Sequence, residues 1–140
     1  MKKDIDFPTV AGVQLAVTRE QNEEGAYDWR VHLINQNEHP LDTVLVTSKG
    51  YSGPPDAEDP PKEGQRTSTL RHLIEYVEPK STAVIERIDP EVFHLVNEYW
   101  VSYYVEGRIH DKKFLFVPDS IVDEHLQFIP ALELEGVLHI

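Results

Sequence analysis

A chain of 140 residues with 13 lysines and arginines, 25 aspartates and glutamates and no cysteine has a formal net charge of −12. Without cysteine, disulfides, thiolate metal sites and cysteine nucleophiles are excluded. The negative field repels phosphate backbones and anionic lipid surfaces, so we expect neither a nucleic-acid nor a membrane partner. The basic candidates Arg108, Lys112 and Lys113 are interleaved with Glu106 and Asp111.

The composition, 40% hydrophobic and 27% charged, is typical of a globular protein, and we predict one domain over residues 1–140. The N-terminal stretch MKKDIDFPTVAGVQ carries acids and a proline where a signal peptide needs an apolar run. No stretch reaches membrane-spanning length. A cytoplasmic location is therefore expected.

Alternating apolar residues predict half-buried strands in the first third of the chain. The first alternation places Val13, Leu15 and Val17 on one face and Gln14, Ala16 and Thr18 on the other. The second, YDWRVHLIN, places Tyr27, Trp29, Val31 and Leu33 on one face and Asp28, Arg30 and His32 on the other. Turn residues in NQNEHPLD then lead to a strand beginning near Val44, which we expect to pair antiparallel with the second.

The stretch SKGYSGPPDAEDPPKEGQRTST joins that strand to the next one. Its prolines, mixed with acids and glycine, resist both ladder pairing and helix, which predicts a long mobile loop at residues 53–64. Pro54 stands where a G-x-S-x-G elbow needs glycine, and Lys49 precedes Gly50, so no phosphate-binding loop is present. The loop is interpreted as a solvated connector; the alternative is a partner-recognition loop.

The second half adds more strands and little helix. TSTLRHLIEYV, with Leu70, Ile74 and Tyr76 at even positions, and STAVIERI read as strands. Asp89 before Pro90 predicts a short helical turn. A hairpin is predicted over 97–117 with its turn at Gly107. The segment PDSIVDEH could form another helical turn. The C-terminal segment is predicted to be extended. Such short strands favour an all-β antiparallel sandwich, immunoglobulin-like in architecture only.

No catalytic or metal-binding motif is recognisable in the sequence. The seven histidines form no H-x-H, H-x-x-x-H or H-E-x-x-H spacing, the paired acids are as expected by chance, and no Ser-His-Asp arrangement is identifiable. We therefore predict no catalytic residue, no cofactor and no metal site.

The segment NEYWVSYYVEG is apolar or aromatic on both faces. Its second face, with Trp100 and Tyr104, needs a cover, either the C-terminal segment or a partner. The final residues VLHI are also apolar, and we expect them to dock, either over this aromatic face or along a neighbouring copy's edge. The candidate interaction surface consists of Trp100, Tyr104, Val137, Leu138 and Ile140.

The ordered set VLVTSKGYS, TSTLRH, NEYWVSYY, DKKFLF and IPALELEGVL resembles a family of small bacterial proteins of about this length. Its members often carry the label of a phenylalanyl-tRNA synthetase alpha subunit. We interpret that label as an error of transfer, because a class II synthetase core needs a large sheet with helices and ATP-binding arginines. The resemblance implies no activity, no cofactor and no catalytic position.

The sequence thus favours a non-enzymatic module that binds another protein or itself. The alternative is a small-molecule-binding or enzymatic domain, which a deep pocket lined with histidines or carboxylates would favour.

Overall fold

Two β-sheets face each other in the computed structural model, which describes residues 12–53 and 66–139. The strands in these residues are β1 (Val13–Gln21), β2 (Tyr27–Asn35), β3 (Leu41–Tyr51), β4 (Leu70–Val77), β5 (Ser81–Arg87), β6 (Val96–Val105), β7 (Arg108–Phe116), β8 (Gln127–Ile129) and β9 (Leu134–His139). Short 3-10 helices span Pro90–Val92 and Asp123–His125.

The larger sheet has five strands in the order β5-β2-β1-β9-β8, and the smaller has four in the order β4-β3-β6-β7. All neighbouring strands pair antiparallel. The predicted all-β sandwich is confirmed.

The main core lies between the sheets and takes alternate residues of each strand, as the pleat requires. The predicted inward residues of β1, Val13, Leu15 and Val17, belong to it, with Val31 and Leu33 of β2. The beginning of β2 lies at the margin of the core: Trp29 packs against it, whereas Tyr27 is 50% exposed.

The outer faces of β1 and β2 are also covered, which corrects the expectation of half-buried strands. Ala16, Thr18 and His32, assigned to the polar face, are buried, as is Ile34. The reason is a second cluster on the outside of the five-stranded sheet, to which the C-terminal segment contributes. Its members are Ala16, Ile34 and Ile129, with Leu132 and Leu138 packed against them.

Strand β3 begins at Leu41, earlier than the expected Val44, because a β-bulge between Asp42 and Leu45 interrupts its pairing with β6. Thr43 has a left-handed φ of 48° at that point. A bulge inserts an extra residue and interrupts the alternation of inward and outward side chains, so the alternation alone does not indicate where the strand begins.

The two local turn predictions are confirmed. The Asp89 side chain caps the first 3-10 helix, accepting from the Glu91 backbone N–H at 2.9 Å. Between β6 and β7, Glu106 and Gly107 both have positive φ, 50° and 78°, as a two-residue hairpin turn requires. The helical turn left open in PDSIVDEH is present as the second 3-10 helix.

The loop predicted at 53–64 lies outside the described residues except for Gly53. Thr67 marks the return of the chain, where its backbone N–H donates to the Gly50 carbonyl at 2.8 Å.

Candidate functional site

Trp100 and Tyr104 lie on the outer face of the four-stranded sheet and are 42% and 39% exposed. Their strand β6 turns Tyr99, Val101 and Tyr103 into the core, and the alternation therefore points the even-numbered residues outward. The Lys113 ammonium lies 4.9 Å from the centre of the Trp100 ring.

The C-terminal residues of the predicted surface lie elsewhere. Strand β9 pairs with β1 in the five-stranded sheet, where Val137 packs against the main core and Leu138 against the second cluster. Ile140 is outside the described residues. The expectation that this segment covers the aromatic face is wrong, since it joins the opposite sheet and covers that sheet's outer side instead.

Further exposed apolar side chains lie on the same face as Trp100 and Tyr104, although the direct cross-strand partners of Trp100 are Thr47 and Lys113. The register aligns Leu45 with Leu73 on one side and with Ser102 on the other, and Tyr104 with Ile109. Leu45, Leu73 and Ile109 are 50%, 58% and 59% exposed. Together with Trp100 and Tyr104 they form an apolar area on this outer face, which we call the outer patch.

Strand β4, which contributes Leu73 to the outer patch, is an edge strand of its sheet. Ile74 packs against the core, but Leu70 and Tyr76, expected on the same face, are 48% and 53% exposed. The strand therefore presents an apolar edge to solvent, a feature that natural proteins usually guard or use for association.

The charges of β4 are placed symmetrically. Arg71 and Glu75 stand two residues before and two after Leu73, on the same face. Within the described residues the side chain of neither forms a hydrogen bond or an ion pair. Two opposite charges are thus available at mirror positions about one exposed leucine.

A second feature lies inside the sandwich, where β3, β4 and β6 bring polar side chains to the carboxylate of Glu86 on β5. Ser48 Oγ donates to its Oε1 at 2.9 Å, His72 Nε2 lies 2.7 Å from the same oxygen, and Tyr99 donates to Oε2 at 2.8 Å. The Glu86 side chain is only 11% exposed. We call these four residues the Glu86 cluster.

The Tyr99 hydroxyl is held in its donor form. Burial, reinforced by the Glu86 carboxylate beside it, raises the pKa of Tyr99 far above its ordinary value of 10.0. The tyrosine therefore stays protonated and donates to Glu86 throughout the physiological range.

A cleft of about 240 Å³ opens beside the Glu86 cluster. Its wall includes three cluster members, Ser48, Glu86 and Tyr99, with the carboxylate of Asp89 and the apolar side chains of Ile88 and Val92. The cleft is slightly smaller than the roughly 300–1,000 Å³ of sites for drug-sized ligands. Its lining combines polar with apolar residues, as in a binding site for a small molecule.

The sequence does not reveal the Glu86 cluster, because its members come from β3, β4, β5 and β6, each read separately as a strand. The one available signal is a polar residue at a position of inward alternation, such as Ser48 two residues after Val46. No residue spacing encodes the meeting of four such positions.

The described residues contain neither a metal-binding cluster nor a membrane-spanning helix. No group of three or more histidine, cysteine, aspartate or glutamate side chains there is arranged to hold a metal ion. In the same residues no helix combines the length and apolarity needed to cross a membrane.

In comparisons with protein-family models, with curated proteins and with solved structures, nothing matches this chain. Its function is therefore argued from its own geometry.

Proposed function

We propose that the chain is a non-enzymatic interaction module that self-associates through the edge strand β4. The proposal rests on two features of β4: its exposed apolar residues, and the opposite charges placed symmetrically about Leu73. An antiparallel pair made by a two-fold axis requires such a self-complementary strand, because each residue meets its mirror position in the second copy.

The pairing register follows from these positions. With Leu73 opposite Leu73 of the second copy, Arg71 of each copy stands opposite Glu75 of the other. Cross-strand pairs of opposite charge and of apolar side chains each contribute about 0.2–1 kcal/mol. The two β4 strands would then join two four-stranded sheets into one.

The outer patch has a place in the same proposal. Joining the sheets brings the two outer patches side by side on one continuous face. Because large exposed apolar areas on soluble proteins commonly mark interaction sites, this face is a surface for a further protein partner. Trp100 is a suitable anchor residue, since tryptophan is enriched among the residues that carry binding energy.

Charge exchange at the two positions tests self-association. Light scattering and sedimentation should show a dimer for the wild type, and Arg71→Glu should shift it to monomer because two glutamates then face each other in both symmetric pairs. Glu75→Arg should do the same. The double exchange, Arg71→Glu with Glu75→Arg, restores opposite charges and should restore the dimer.

A wild-type protein that is monomeric at all concentrations would contradict the proposal of self-association. A dimer that is unaffected by either single exchange would place the interface elsewhere. Arg108→Glu, at an exposed position on β7 at the opposite edge of the same sheet, serves as the matched charge control and should leave the dimer intact.

Two finer statements belong to the proposal. Immunoglobulin-like connectivity is supported by the grouping of β1, β2 and β5 in one sheet and of β3, β6 and β7 in the other. A cytoplasmic location rests on composition alone. Synthetase activity forms no part of the proposed function, in keeping with the all-β fold.

The second candidate function is binding of a small molecule. The cleft beside Glu86 favours it, because a pocket lined by carboxylates is the feature that distinguishes this alternative. One of these carboxylates, Glu86, also contacts His72.

A further inference from the structure

Two carboxylates and two cations line the cleft. Glu86 and Asp89 line it together with Lys49 and Arg87. Both cations are engaged: Lys49 Nζ lies 3.6 Å from Glu98 Oε2, and Arg87 Nη2 lies 3.2 Å from Asp28 Oδ1. Both lining cations thus have carboxylate partners other than Glu86 and Asp89.

Glu86 retains capacity for one more donor. A carboxylate offers about four lone-pair positions, and three are filled by Ser48, His72 and Tyr99. Two of these donors share Oε1, so the unfilled position is on Oε2. A donor arriving from the cleft would complete the coordination of a buried carboxylate, and a charged donor makes the stronger bond.

Apolar residues form another part of the wall, and the volume of the cleft limits the size of the ligand. Ile88 and Val92 contribute aliphatic surface, and Leu70 stands at the rim with 48% of its surface exposed. A volume of about 240 Å³ admits one ring or a short chain beside a polar group.

We propose that the cleft beside Glu86 binds a small organic cation, a primary amine carried on a short apolar body, with its ammonium group on Glu86 Oε2. This inference rests on the second candidate function and names its ligand class. It does not require self-association, because Ser48 and Tyr99 face the interior of the sandwich. The cleft and the proposed dimer interface do share strand β4, which carries Leu70 at the rim of the cleft.

Amide NMR titrations with three probes of one shape test the proposal. 2-Phenylethylamine, 2-phenylethanol and phenylacetate differ in charge at the polar end. The amine should give saturable shifts at Ser48–Gly50, Thr67–Leu70 and Ile88–Asp89, with an affinity at least tenfold above the alcohol, whereas phenylacetate should give none. The titrations are run on the Arg71→Glu variant as well, so that association does not confound them.

Glu86→Gln should weaken amine binding by about tenfold or more, because it removes the charge but keeps an acceptor for Ser48 and His72. The Tyr99 hydroxyl can accept from the new amide. Glu124→Gln, at an exposed position on the second 3-10 helix, should leave binding unchanged. Ser68→Trp, at the exposed rim of the cleft, should block it without touching the Glu86 cluster.

The outcomes distinguish a failure of the amine proposal from a failure of small-molecule binding as a function. Equal binding of amine and alcohol, or binding of phenylacetate, overturns the amine proposal while leaving a small-molecule site. Absence of saturable shifts with all three probes overturns both. If Glu86→Gln does not fold, amine binding that survives Ser68→Trp overturns the proposal by itself.

Discussion

Gly136 allows β9 to lie against β1, because no side chain fits at that position. A Cβ atom there would stand 2.7 Å from the Val17 carbonyl oxygen and 2.9 Å from Ile129 Cδ1. The first neighbour is backbone, which cannot move without distorting the ladder.

Gly136→Ala should therefore destabilise the protein by about 1–3 kcal/mol, the usual cost of overpacking. Chemical denaturation measures it. Glu135→Ala on the same strand, which removes only the ion pair to Arg19 at 3.3 Å, is the control and should cost less than about 1 kcal/mol. Equal effects of the two substitutions would contradict this account of Gly136.

His32 is a buried histidine whose Nε2 has no hydrogen-bond partner in the described residues. Burial, reinforced by Arg30, lowers the pKa of His32 below its ordinary value of 6.5. The unfolded chain consequently binds a proton more readily than the folded chain in the pH range between the two pKa values.

Its contribution to stability is thus complete above pH 6.5 and is lost as the pH falls through the lowered folded-state pKa. His32→Leu should remove this part of the pH dependence, so that the unfolding free energies of variant and wild type converge or cross as the pH falls from 7 towards 5. His94→Gln, at an exposed position, should keep the wild-type profile. Parallel profiles for His32→Leu and wild type would refute the assignment.

At the scale of elements, β9 ties the two sheets together. Its backbone pairs with β1, while the His139 ring packs edge-on against Phe114 and Phe116 of β7, with ring centres 5.1 Å and 5.5 Å away. The strand thus contacts both layers of the sandwich.

Truncation after Glu135 should lower the unfolding free energy by about 2–4 kcal/mol, since Val137 and Leu138 lose their packing and β1 loses a neighbour. Calorimetry of the truncated protein measures the change. Leu138→Ala, which affects only the second cluster, should cost less. An unchanged melting temperature after truncation would show that β9 does not contribute to the fold in solution.

Elements encoded by neighbouring residues were predictable. The alternation in β1 and β2 and the glycine turn of the β6–β7 hairpin depend on contacts within a few residues, and the structure confirms them. The bulge near Thr43 was not predicted, because it depends on how β3 meets two different neighbours at once.

At the scale of the whole molecule, the sequence predicted the sandwich but neither the covered outer face nor the cleft. Ala16 and Ile34 are buried by residues more than ninety positions away, such as Ile129. Likewise, the Glu86 cluster depends on how the two sheets oppose each other. Both features arise from long-range packing, which local periodicity does not record.

The pairing of β1 with β9 also has a kinetic consequence. Arg19 and Glu135, which meet in this ladder, are 116 positions apart in the chain. Loops of that length close slowly, and chains dominated by such contacts fold in milliseconds to seconds. During synthesis β1 exists long before β9, so its apolar edge passes through a period of exposure in which chaperones or aggregation compete with folding.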